Sequence, residues 1–169
     1  MLKHKIILDN KKIEDAPKGA KCVHFDYDCD TLKKYFNGND TKAYYITAKY
    51  FHSKNFVHYQ RSGYFSDFAI TYRELDKLIY KFAILNPWFN PSLNAISRTE
   101  ANDEKNKNFK LSLDYIDNSE IVKNLDRENI TEEEADSIVN ELLEDLDEKA
   151  LSDNEMLEFL KIMDEYYDR

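Results

Sequence analysis

Glycine and proline are scarce, with 3 of each in 169 residues. The chain therefore holds no low-complexity linker and must make its turns mostly with Asn and Asp, which tolerate left-handed backbone. Cysteine is scarcer still. Cys22 and Cys29 cannot complete a four-ligand zinc site, and two thiols do not make a disulfide scaffold, so reduced, packed thiols are expected. No apolar run approaches the roughly 18 to 20 residues of a membrane span. The start, Met1 to Asp9, is too short and too soon charged for a signal peptide, so the expected location is cytoplasmic and no membrane partner is expected. No internal repeat occurs, and no Ser/His/Asp or Cys/His arrangement has a spacing that argues nucleophilic catalysis. The expectation is a protein that is not an enzyme and uses no cofactor.

What the chain does have is rings and charge. Its 12 Tyr and 10 Phe, within a hydrophobic content of 42%, supply enough apolar material for a core that offsets the entropy of ordering the chain. The length suits one domain, or one with a small appendage. The net charge of −9 is unevenly spread: residues 1–110 hold 19 Lys+Arg and 13 Asp+Glu, a balance of +6, while residues 111–169 hold 5 and 20, a balance of −15. A split of this size points to a polyelectrolyte, or a binder of one, somewhere in the function. The expected division is a net-basic, aromatic-rich α+β body over 1–116 and an acidic helical subdomain over 117–169.

Local patterns predict the elements. Lys3 to Leu8 reads as a short strand. Val23, Phe25, Tyr27 and Cys29 alternate with His24, Asp26, Asp28 and Asp30, which predicts a half-buried strand. A short helix through Leu32, Tyr35 and Phe36 should stop at Asn37-Gly38. Residues 42–51 and 56–65, rich in Tyr, Phe, Val, Ile and Thr, predict a β-hairpin with a four-residue loop. Thr71-Tyr-Arg-Glu74 has the form of a capping box and opens a helix that should end before Asn86-Pro87. Residues 97–108 read as a polar loop, and Phe109, Leu111, Leu113 and Tyr115 as one more strand. From Ser119 the chain reads as helical. Capping boxes at Thr131-Glu-Glu-Glu134 and Ser152-Asp-Asn-Glu155 predict two amphipathic helices paired as an antiparallel hairpin. The predicted architecture is α+β: an antiparallel sheet of about four to five strands with one long packed helix, followed by an acidic C-terminal helical hairpin.

Three constellations bear on function. Glu133, Asp136, Glu141, Glu144, Asp145, Asp147 and Glu148 crowd one predicted helix, where like charges at i,i+4 destabilise by a few tenths of a kcal/mol per pair. Such a face approaches the charge density of a nucleic acid, so it can occupy the basic groove of a nucleic-acid-binding protein such as a nuclease. The bland alternative is a solvated helix face, and an intramolecular one is a hairpin folded over the basic body. Trp88, between Pro87 and Pro91, is a candidate partner anchor or a core plug. The second constellation is the predicted hairpin 42–65, which carries Lys49, Lys54 and Arg61 among Tyr50, Phe56 and other rings and contains no acid. Cations beside aromatics suit single-stranded nucleic acid, a less favoured direct partner, with the acidic hairpin as a mask. Rings are equally what an antiparallel sheet packs.

The third is the carboxylate run Asp26-Tyr-Asp28-Cys-Asp30. Same-face neighbours about 6.6 to 6.8 Å apart can bridge Mg²⁺ or Mn²⁺, which makes Asp26 and Asp28 an alternative metal pair. An EF-hand fails at Thr31 and Asn37, and a phosphatase Asp-x-Asp-Gly-Thr motif fails because Cys29-Asp30 intervenes. Hydrophobic-Asp-x-Asp, then Ser53 to His58, then Leu113-Asp114, resembles the three short motifs of the archaeo-eukaryotic primases over about a dozen residues. The resemblance implies metal at the acidic pair and a nucleotide contact at the Ser-x-His element, whose usual glycines are absent here. In expected function, though by no sequence motif, the chain resembles the small acidic proteins phages and other mobile elements use against nucleases, anti-CRISPR and anti-restriction proteins among them. The reading with most support in the sequence is therefore a non-enzymatic acidic inhibitor of a nucleic-acid-handling protein.

Overall fold

In the computed structural model, which describes residues 8–102, 109–111 and 113–167, five antiparallel strands form one sheet in the order β2-β3-β1-β4-β5. They are β1 (Lys21–Tyr27), β2 (Phe56–Gln60), β3 (Gly63–Ser66), β4 (Leu93–Glu100) and the two-residue β5 (Phe109–Lys110). Of the predicted first strand, all but Leu8 lies outside the described residues. β1 is central, with Val23 opposite both Tyr64 of β3 and Arg98 of β4. Its alternation follows the sequence pattern as far as Tyr27, but Asp28 and Cys29, expected to continue the strand, instead cap and open the next helix. Val23, Phe25 and Tyr27 are buried in the main core, while Asp26 is exposed and His24 half-buried. Cys22 points to a smaller second core with Ala20, Val57, Phe65 and Ala101, roofed by Ile13 and Ala16.

Helices along the whole chain contribute to the main core. α1 (Cys29–Tyr35) ends as expected at Asn37 and Gly38, whose φ values of 52° and 87° are left-handed. α2 (Thr41–Ser53) replaces the first arm of the predicted hairpin. Only the second arm is a hairpin, β2 to β3. The reason is periodicity: Ala43, Tyr44, Thr47, Tyr50 and Phe51 are all buried, at helical spacing, and this outweighs their strand-favouring composition. The Tyr27 hydroxyl donates to Thr47 Oγ1 at 2.8 Å, and Thr47 in turn donates to the Ala43 carbonyl, so the helix and β1 are joined through a satisfied buried pair. α3 (Tyr72–Leu85) starts at its predicted cap, where Thr71 Oγ1 accepts from the Glu74 amide at 3.1 Å. Phe82 of α3 meets the rings of Tyr50, Phe51, Trp88 and Phe89 at centroid distances of 4.7 to 6.0 Å.

Residues 97–100, expected in a loop, belong to β4. Two of their charged side chains have partners there: Arg98 reaches Asp76 of α3 at 3.1 Å and lies over the Tyr72 ring, and Glu100 meets Lys21 of β1 at 3.1 Å. The strand expected from Phe109 to Tyr115 shrinks to β5, because Leu113 turns into the short helix α4 (Asp114–Asp117). The next short helix, α5 (Glu120–Lys123), is capped by Ser119. α6 (Glu132–Tyr167) is a single helix of 36 residues and not the predicted hairpin. Asp147-Glu-Lys-Ala-Leu-Ser152 contains neither Gly nor Pro and most of it favours helix, so the second capping box is absorbed into the helix interior. The α+β architecture with its antiparallel sheet and acidic C-terminal helical region stands.

Candidate functional site

α6 is held to the body by an apolar stripe and flanking charge pairs. Thr131 Oγ1 accepts from the Glu134 amide at 3.2 Å, which fixes the start of the helix at the predicted cap. Ala135, Ile138, Val139, Leu142 and Leu143 are buried and Leu146 packs partly against them, all within the main core. Packing against α3 is antiparallel, since Arg73 meets Asp147 while Lys81 meets Glu132 and Asp136. The Arg73 contact is bidentate, with N–O distances of 3.0 and 2.7 Å, and it holds the Asp147 carboxyl below the ordinary carboxylate range. Lys81 is buried, which works against its ammonium, but Asp136 at 3.0 Å and Glu132 at 3.4 Å outweigh that and raise its pKa above the usual lysine value. Lys54 adds a third cation, 3.5 Å from Glu132. Part of the acidic helix is thus laid over basic residues of the body, the intramolecular arrangement weighed from sequence.

The remaining acids face the other way. Glu133, Glu134, Glu141, Glu144, Asp145 and Glu148 are exposed, and none makes an ion pair among the described residues. At 100° per residue they fan over about 120°: Glu133, Glu141, Glu144 and Glu148 point away from the buried stripe, while Glu134 and Asp145 lie at its edge beside Ile138, Asp145 near enough to Tyr115 to help raise that phenol's pKa, and Glu132, Asp136 and Asp147 lie on the other flank, toward α2 and α3. From Glu133 to Glu148 the helix rises about 22 Å, so this face carries roughly one carboxylate per 4 Å, close to the 3.4 Å charge spacing along one strand of duplex DNA. The site residues named from the acid run therefore separate into two groups. Asp136 and Asp147 are anchors, while Glu133, Glu141, Glu144, Asp145 and Glu148 form the free face.

The other candidates are placed differently. Trp88 is 8% exposed, wedged among Tyr27, Phe36, Phe82 and Phe89, and is a core plug with no ring face left for a partner. Of the aromatic-basic set, Tyr50 and Phe56 are buried, and the Tyr50 hydroxyl donates to the Leu78 carbonyl at 2.6 Å. Burial, with Glu132 and Asp136 nearby, pushes that phenol's pKa up. Lys54 is taken by Glu132 and the Tyr50 ring, and Arg61 lies 4.5 Å over the Tyr44 ring. Lys49 stays exposed. These rings serve core packing, so the expected stacking platform is not formed: the helical turn of α2 takes Tyr50 inward.

Asp28 is likewise engaged. Its Oδ2 accepts from the Thr31 hydroxyl at 2.9 Å and its Oδ1 from the Asp30 amide at 3.1 Å, which caps α1 and lowers its pKa. Asp26 is exposed on β1. Of the primase-like elements, Asp114 accepts from Asn90 at 3.2 Å, Ser53 donates to the Tyr50 carbonyl, and His58 is buried, its ring stacked 4.3 Å from Tyr64 with Nε2 toward the Arg61 carbonyl. Among the described residues no group of three His, Cys, Asp or Glu is arranged to hold a metal ion. None of the described helices is long and apolar enough to cross a membrane.

One feature escaped sequence reasoning. Leu157, Phe159, Leu160 and Ile162, near the far end of α6, are 58%, 57%, 51% and 63% exposed. The signal was present in the sequence, because these apolar residues cover both sides of the helix and not only the stripe that continues Leu142.

Fold and surface together define a small α+β protein that carries one long helix, docked at its start and overhanging at its end, with a free acidic face. No protein-family model matches the chain, and no curated protein or solved structure matches it significantly.

Proposed function

We propose that this chain is a non-enzymatic acidic binding protein that occupies the basic nucleic-acid-binding groove of a nuclease or other nucleic-acid-handling protein, in the manner of phage anti-CRISPR and anti-restriction proteins. One observation carries the reading. Six exposed carboxylates stand on α6, none in an ion pair with a residue whose side chain the structure describes, on a helix whose apolar stripe is fixed in the core. Like charges kept at i,i+4, such as Glu141 with Asp145 and Glu144 with Glu148, cost the isolated helix a few tenths of a kcal/mol per pair. A cationic groove relieves that cost and is steered to the helix by long-range attraction. Anchoring also fixes the row's geometry before binding, so little ordering entropy is lost on contact.

The test is capture from a bacterial lysate at low salt, elution on a salt gradient, and assay of the eluted protein's nucleic-acid binding or cleavage with and without this chain. Inhibition is expected to weaken as salt rises. The quadruple variant E141K/E144K/D145K/E148K should lose it while keeping the wild-type circular dichroism spectrum. A complex indifferent to all four reversals refutes the reading.

A further inference from the structure

α6 repeats its geometry every five turns, and the repeat exposes a change in chemistry. Eighteen residues are five turns of helix, so Leu160 lies directly along the axis from Leu142 and Leu157 from Val139, while Phe159 lies along from Glu141 and Ile162 from Glu144. Leu142 and Val139 are 1% and 2% exposed, covered by the body. Their counterparts Leu160 and Leu157 are more than half exposed, and so are Phe159 and Ile162 on the sector that is acidic upstream. Leu157, Phe159, Leu160, Ile162 and Met163 together span an arc of about 220°, wider than the stripe that suffices to dock a helix on a flat neighbour. Contiguous exposed apolar surface of this kind marks an interaction site.

The occupant is constrained by area and charge. A second copy of the chain brings the same acids: Glu158, Asp164 and Glu165 against the single Lys161 between Leu157 and Glu165, with the free row of Glu141 to Glu148 behind them. Half-exposed side chains of this size each offer about 100 Å², so the four give roughly 400 Å² per copy and about 800 Å² for a symmetric pair, the scale of a packing contact. An anionic lipid surface repels the same carboxylates. A protein groove with apolar walls and a rim of Lys or Arg satisfies both: it wraps the arc instead of touching one side, and its rim meets the flanking acids.

We infer that the far segment of α6, through Leu157, Phe159, Leu160 and Ile162, is a helix-in-groove docking element for a partner whose apolar groove is rimmed by cations. This deepens the reading above and rests on it only for the cationic rim. The apolar anchors set how long the complex lasts, and the upstream carboxylates set how fast it forms.

The probe is a designed helical bundle that presents a Leu-lined groove rimmed by Lys, labelled and titrated by fluorescence anisotropy against the full chain at about 0.15 M and about 0.5 M salt. Two variants keep the helix: L157Q/F159Q/L160Q/I162Q, which leaves the charge unchanged, and E141Q/E144Q/D145N/E148Q, which leaves the apolar arc unchanged. Circular dichroism checks both folds, and sedimentation checks the oligomeric state. The Gln variant is expected to bind at least about tenfold more weakly at both salt concentrations, with the same salt dependence as wild type. The acid-neutralised variant is expected to keep its high-salt affinity and lose the salt dependence. Binding by the Gln variant within about twofold of wild type overturns the inference, as do dimerisation of the free chain in the titration range and capture by phosphatidylglycerol vesicles that the Gln substitutions abolish. Loss in the Gln variant together with a salt dependence unchanged in the acid-neutralised variant supports the docking element and refutes the acidic-row reading alone.

Discussion

The first four turns of α6 and its last three have similar compositions and opposite surroundings. Between Glu132 and Asp147 the helix buries Ala135, Val139 and Leu142 and spends three carboxylates on Lys54, Arg73 and Lys81. Past Leu157 comparable apolar residues stand in solvent. Amphipathic spacing tells which side of a helix is apolar, but the far half teaches that it does not tell whether anything covers that side. The bed on which α6 lies is chiefly α3, and Arg73 sits in the first turn of α3. α6 is 36 residues long against 14 for α3, so most of its second half extends past its support.

The sharpest way to break this comparison is truncation of matched leucines. Leu142→Ala should destabilise the protein by about 2 to 5 kcal/mol, and Leu160→Ala by no more than about 0.5 kcal/mol, measured as shifts in urea midpoint. Equal losses would mean that the far segment is covered after all.

A second contrast lies on α3, where the half-buried Asp76 meets Arg98 of the sheet and the exposed Arg73 meets Asp147 of α6. Burial raises the pKa of Asp76 to about 6 although Arg98 pulls it down, whereas the Arg73 hydrogen bonds lower that of Asp147. The two act with opposite sign. Between about pH 4 and 6 the folded chain binds more proton at Asp76 than the unfolded chain does, so this group makes stability fall as pH rises, by up to about 1.4 kcal/mol per pH unit. Asp147 instead contributes stability that is present above the unfolded carboxylate pKa and lost on acidification. Asp76→Asn should remove the first slope from denaturation curves taken across pH 4 to 6, and Asp147→Asn should leave it in place.

The capping boxes give a third contrast, at the level of about 1 kcal/mol. Thr131→Ala should cost about that much by orphaning the Glu134 amide. Ser152→Ala should be neutral or slightly stabilising, because the residue lies inside a continuous helix. A cost near 1 kcal/mol at Ser152 would restore the predicted hairpin. The smallest effects separate the two faces of the acid run: Asp136→Asn should lose up to about 1 kcal/mol, and Glu144→Gln should gain about 0.2 to 0.5 kcal/mol by relieving Glu148, both read from chemical denaturation.

Where a local signal has its own chemistry, the sequence is legible. Thr71 and Thr131 mark helix starts because a hydroxyl two or three residues before a free amide has one good partner, and Asn37-Gly38 marks a stop because few residues accept positive φ. The phase of β1 follows from strict alternation. α2 was obscured because Tyr, Ile, Thr and Phe favour strands on average. Burial at positions 43, 44, 47, 50 and 51 decided otherwise, and the same spacing is visible in the sequence once sought. β4 was hidden for a converse reason: Arg98 and Thr99 look like loop residues until Asp76 and β1 are beside them. At the candidate site the acid run was evident, but its division into anchors and a free face depends on where Arg73 and Lys81 lie, which only the packing of α3 determines. Trp88 and Tyr50 looked equally suited to surface or core, and their burial follows from the ring cluster around Phe82.

The burial of Trp88 also has a practical side. It is the only indole in the chain, and it sits between β1, α1 and α3, away from the free face of α6. Its emission therefore reports on the core and is silent about what docks on the acidic row or on the far segment. A variant of α6 that has lost its partner but keeps blue-shifted tryptophan fluorescence is folded, so one spectrum taken before each titration separates a broken contact from a broken protein.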